Sequence, residues 1–95
     1  MANNKYYVYI LLCSDQTFYT GTTNDVSKRV ATHNAGKGAK YTKVRRPVKL
    51  MYSEELENKS QALKREIAIK KLSRPQKEEL LKSQGINWHD YLISK

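Results

Sequence analysis

Tyr6-Tyr7-Val8-Tyr9-Ile10-Leu11-Leu12-Cys13-Ser14-Asp15-Gln16-Thr17-Phe18-Tyr19-Thr20-Gly21-Thr22 is the stretch that decides the fold. Residues 6–12 are almost all aromatic, aliphatic or β-branched, and residues 17–22 form a second strand-favouring run after the polar Ser14-Asp15-Gln16. Two such runs around a short polar break read as a β-hairpin. Tyr9 and Tyr19 are equidistant from Ser14, so a register centred there places their phenols side by side on one face. As a cross-strand aromatic pair they would simply stabilise the sheet. Gly21 marks a bulge or a place where another backbone approaches closely, as a site beside a phosphodiester would need.

Outward from the hairpin, Thr23-Asn24-Asp25 offers helix N-caps and Gly36 a stop, with a helix of about three turns between them. Val26, Arg29, Val30 and His33 share one face of it, which puts a basic pair on a stripe that should meet the sheet. An Arg there can clamp a phosphate and a His can relay a proton, unless both side chains merely snorkel to the rim. Pro47 leads into a third strand over residues 48–53. Residues 60–72 are rich in helix formers, and Pro75 opens another helix that runs to about residue 83 before Gln84-Gly85. The tail, residues 84–95, carries Trp88 and Tyr91, read as anchors on the core. The order β-β-α-β-α-α gives an α+β fold, a small three-stranded antiparallel sheet flanked by helices.

On the helix over residues 60–72, Glu66 falls within an arc shared with Ala62, Leu63, Ile67 and Ile69. A carboxylate drawn out of water needs a counter-charge. Lys70, one turn on, can provide it, and so can a metal ion; the spacing does not choose. Residues 36–46 place five cations, Lys37, Lys40, Lys43, Arg45 and Arg46, around Tyr41 with no acid among them. With two glycines allowing close approach, this reads as a loop for a nucleic-acid backbone.

The whole chain agrees with that partner. It has 95 residues, 18 Lys and Arg against 9 Asp and Glu, and a net charge of +9. Its pI is near 9.7 and its mean hydropathy −0.77. One modest domain, 1–95 with a core over 6–83, and a polyanionic ligand are expected. No apolar run approaches the roughly 20 residues of a membrane span. Cys13 alone excludes an internal disulfide framework and a cysteine zinc cluster, and without a positioned base it offers no thiol chemistry. The opening Met1-Ala2-Asn3-Asn4-Lys5 lacks the pattern of a secretory signal, so a cytoplasmic monomer is expected.

Taken together, these residues resemble the GIY-YIG nuclease family, whose two strand motifs correspond to Tyr7-Val8-Tyr9 and Tyr19-Thr20-Gly21. Arg29, His33 and Glu66 then match the family's helix Arg, the His or Tyr one turn later, and the Glu of a later helix. Residues 36–42 also look like the small, stand-alone bacterial members, and the resemblance spans residues 6 to about 72. Tyr7 stands in place of the motif's Gly and Thr20 in place of its Ile. The late Asn of many members has no counterpart except Asn87 in the tail. The resemblance implies an endonuclease of repair or recombination type, acting on DNA in preference to RNA. It implies one Mg²⁺ or Mn²⁺ held by Glu66, waters and a phosphate oxygen. Tyr19 or Tyr9 would be the general base, Arg29 the phosphate clamp, and His33 a proton relay or second phosphate contact. A nucleic-acid-binding module that does not cut, or a basic protein that docks on an acidic partner through Trp88 and Tyr91, would carry the same charge.

Overall fold

A computed structural model describes residues 5–92, so most of the opening segment and the last three residues of the tail lie outside the described residues. Strands β1 (Tyr6–Leu12) and β2 (Phe18–Thr23) form the hairpin, and β3 (Lys49–Leu56) completes an antiparallel sheet of order β2-β1-β3. The central position of β1 explains its composition, because both its faces are covered. Val8, Ile10 and Leu12 join Met51, Ala62, Ile69 and Leu81 on one side. Tyr9, Leu11 and Cys13 join Val48 on the other, against Val30 of α1 (Val26–Asn34). Helices α3 (Lys59–Lys70) and α4 (Arg74–Ser83) lie on the first side.

The helix ends follow local chemistry. Asp25 caps α1 by accepting from Lys28 N, Asn58 caps α3 through Gln61 N, and Ser73 with Gln76 forms a reciprocal capping box on α4. Gly36 leaves α1 at φ +82°, a left-handed conformation that favours glycine. The tail docks as expected. A 3₁₀ turn, Trp88–Tyr91, sets the Trp88 ring edge-on to Phe18 at 5.7 Å, with the Arg74 guanidinium 3.6 Å above Phe18.

Three expectations are corrected. The hairpin register is centred on Asp15, which pairs Tyr9 with Gly21 and Leu11 with Tyr19. The cause lies in the turn, where the Asp15 carboxylate accepts from Thr17 Oγ1 at 2.6 Å and Gln16 takes a left-handed conformation. Because the pairing moves by two residues, both tyrosines keep their common face. On α3, Leu63 and Ile67 are 40% and 54% exposed, and the inward stripe is Ala62, Glu66 and Ile69. Residues 36–46, read as an open loop, contain the short helix α2 (Lys40–Lys43). Among the described residues, no helix is long and apolar enough to cross a membrane.

Candidate active site

Tyr9 projects from the central strand and is 1% exposed. Its ring has room only because Gly21 lies opposite: a Cβ on Gly21 would fall 2.5 Å from the Tyr9 hydroxyl and 2.7 Å from Cζ. The glycine thus serves an internal approach. On α1, His33 is completely buried, which overturns the idea that it snorkels to a rim. Gly38 seats its imidazole, since a Cβ there would lie 2.6 Å from the ring Cγ.

A hydrogen-bonded chain runs through the imidazole. Tyr9 Oη is 2.8 Å from His33 Nε2, and His33 Nδ1 is 2.8 Å from Thr42 Oγ1. Thr42 donates its own proton to the Ala39 carbonyl at 3.2 Å, so it accepts from His33 Nδ1–H. By that assignment Nε2 carries a free lone pair and the Tyr9 hydroxyl donates to it. Arg29 donates through Nε to Tyr9 Oη at 3.4 Å and through Nη2 to the Gly38 carbonyl at 3.0 Å.

Burial pushes the Tyr9 phenol above its ordinary pKa, the nearby Arg29 opposes that, and the charges of Tyr19 and Glu66 add to the rise. Burial, assisted by the Arg29 charge, pulls His33 below its ordinary value. At neutral pH the resting pair is therefore a neutral phenol and a neutral imidazole. A depressed histidine pKa means that the unfolded chain binds the proton more readily, so the stability is present above about pH 6.5 and drains away as pH falls. Thermal melts from pH 7 to 5 should show a loss of up to about 1.4 kcal/mol per pH unit from this one group. His33→Gln should flatten that slope; an unchanged slope would show that His33 does not gain its neutral form from the fold.

Tyr19 sits beside the pair, 6.5 Å from the Tyr9 ring and 5.2 Å from the His33 ring. Tyr41 stacks on Tyr19 at 5.9 Å, and the Arg45 guanidinium covers Tyr41 at 3.9 Å. Arg45 is held in turn by Asp15 at 2.9 Å and the Tyr41 carbonyl at 2.8 Å. Arg46, itself exposed, donates through Nε to the Lys43 carbonyl at 2.8 Å. Two of the five loop cations thus help to build the loop, while Lys37, Lys40 and Lys43 are exposed.

Glu66 comes from α3, with its side chain only 17% exposed and its carboxylate 3.2 Å from Lys70 Nζ. Its charge is nonetheless felt at Tyr9. The fold therefore gathers Tyr9, Tyr19, Arg29, His33 and Tyr41 in one contact network and sets Glu66 within electrostatic reach. Thr42 and Gly38 complete the network and were not singled out from the sequence. In the sequence Gly38 signals only a loop open to a ligand, and Thr42 gives no signal beyond being a hydroxyl among cations. A cleft between α4 and the 3₁₀ turn is lined by Glu78, Glu79, Lys82 and Trp88, and its two carboxylates make it a poor host for phosphate.

A family model described as the GIY-YIG catalytic domain matches residues 5–79. A UPF0213 protein of Staphylococcus haemolyticus is 55% identical over 80 residues, covering 84% of this chain and 98% of that one. A UPF0213 protein of Halobacterium salinarum is 57% identical over 75 residues, covering 79% of this chain and 97% of that one. Among solved structures, the solution NMR structure of a UPF0213 protein from Bacillus halodurans matches with TM-score 0.57 and 44% identity, covering 85% of this chain and 86% of that one. The NMR structure of a protein from E. faecalis matches with TM-score 0.60 and 46% identity, over 90% and 92% of the two chains.

Proposed function

The chain belongs to the GIY-YIG family, and from that premise we propose that it is an endonuclease that cuts the phosphodiester backbone of nucleic acid, DNA in preference to RNA, with one divalent ion. The observation that carries this reading is the Tyr9 phenol held between His33 Nε2 at 2.8 Å and Arg29 Nε at 3.4 Å. A buried tyrosine that only stabilised the sheet would need one hydrogen-bond partner for its hydroxyl and no cation beside it. A phenol that must pass a proton needs both.

Glu66 fits the role of metal ligand, being a hard oxygen donor, mostly withdrawn from water and balanced by a single lysine. Mg²⁺ or Mn²⁺ bound there would supply Lewis acidity at the phosphate and acidify a water. The remaining chemistry belongs to the chain. Tyr9 Oη takes a proton from the attacking water while its own proton moves to His33 Nε2, leaving an imidazolium whose Nδ1–H stays on Thr42. Burial alone would make the phenol a reluctant base, and the Arg29 guanidinium offsets this by stabilising developing phenolate charge. Arg29 Nη1 has no hydrogen-bond partner among the described residues, so the same side chain can reach a phosphate oxygen. Lys37, Lys40 and Lys43 suit the flanking backbone, with Tyr41, Arg45 and Arg46 shaping the loop that carries them.

A nucleic-acid-binding role without cutting is the second reading, favoured by the Glu66–Lys70 pair, which already neutralises the only carboxylate assigned to the metal. Flap, branched, single-stranded and duplex oligonucleotides, incubated with Mg²⁺, Mn²⁺ or chelator, separate the two. Cleavage of at least one substrate with metal, and none with chelator, is the expected result. Retained binding with every substrate intact would establish the second reading.

A further inference from the structure

Because β2 is an edge strand, its outer margin is not covered by another strand. A groove follows that margin, lined by Phe18, Tyr19, Thr20, Tyr41, Lys70 and Lys77. It shares Tyr19 with the catalytic network, and Lys70 reaches the Glu66 carboxylate at 3.2 Å, so groove and candidate active site adjoin. Its lysines come from two helices, α3 and α4, and no acid lines it. Lys77 is half-buried yet has no ion-pair partner among the described residues. The two lysines, Lys77 without an ion-pair partner and Lys70 shared with Glu66, form a cationic set for an anion with several oxygens.

The aromatic rings decide what kind of contact this is. Tyr41 stacks on Tyr19 and is covered by the Arg45 guanidinium, and Tyr19 is flanked by Tyr41 and His33. With its ring already engaged by Tyr19 and Arg45, Tyr41 offers the groove its hydroxyl for hydrogen bonding. We propose that this groove binds a backbone phosphate of the nucleic-acid strand next to the scissile one, through Lys77 and Lys70, without reading the base. It rests on the nuclease reading and extends it: the protein grips the strand along the β2 edge, and this subsite adds no sequence preference.

The test uses the full chain with Tyr9→Phe to prevent cutting, and follows the anisotropy of a labelled flap oligonucleotide across a salt series. Adding Lys77→Gln should reduce the slope of log affinity against log salt by about 0.9 if the phosphate is in duplex, or about 0.7 if it is single-stranded. The reduction should be equal for unrelated sequences, with the melting temperature unchanged, and Lys77→Arg should restore the slope. Binding by the parent with the same slope in Lys77→Gln would overturn the groove, and wild-type cleavage measured alongside would leave the nuclease reading standing. A parent that fails to bind any oligonucleotide would overturn both.

Discussion

Glu66→Gln is expected to reduce metal-dependent cleavage by about a thousandfold or more, because a bound ion contributes several kcal/mol to the transition state and each 1.36 kcal/mol is about tenfold in rate. The substitution keeps the shape of a side chain lying on the inward stripe with Ala62 and Ile69 and removes only its charge. Lys70 loses its counter-charge, but its own side chain is 52% exposed and water can solvate it. The substituted side chain is neutral and leaves no charge buried without a partner, so the fold should melt at nearly the same temperature. Nucleic-acid binding should persist through Lys37, Lys40 and Lys43. Single-turnover rates over an Mg²⁺ titration, with NMR shifts near Tyr9, Tyr19 and Glu66, measure both parts. If wild type and Glu66→Gln show the same Mg²⁺-induced shifts, Glu66 is not the ligand, and its pairing with Lys70 is its whole role.

Tyr9→Phe should slow cleavage by about 10²–10⁴-fold, the range for removing a positioned acid–base group. The same change at Tyr19 should have a much smaller effect. The sequence offers no ground for separating the two phenols, since both are strand tyrosines on one face. The difference is in their partners: the Tyr9 hydroxyl meets His33 and Arg29, whereas Tyr19 contributes its ring to a stack with Tyr41. Tyr9→Phe leaves the buried His33 Nε2 without its donor, at a stability cost of about 1–3 kcal/mol. Rates should therefore be compared per folded molecule, with circular dichroism at the assay temperature as the check. Wild-type cleavage by folded Tyr9→Phe, with loss in Tyr19→Phe, would transfer the base to Tyr19. Loss of cleavage in neither would remove tyrosine from the chemistry.

Much of this molecule follows from its sequence alone. An apolar run over residues 6–12 with no polar face requires a strand covered on both sides, and β1 is the central strand. Asp25, Pro75 and Gly36 act within a few residues of their own positions, so the helix ends could be placed without knowing anything distant. Helical spacing likewise put Arg29 and His33 on one face, and charge pointed to a polyanion. Tertiary structure decided whatever depended on two distant segments meeting. The Asp15 turn moved the register by two residues and set Gly21 against the Tyr9 ring. Docking of α1 and α2 joined His33 to Thr42 and Tyr9, and Asp15 drew Arg45 into the loop's own framework. Periodicity says which way a side chain points, but the atom it meets depends on turn conformation and helix placement, and proton transfer requires that atom within about 2.6–3.2 Å.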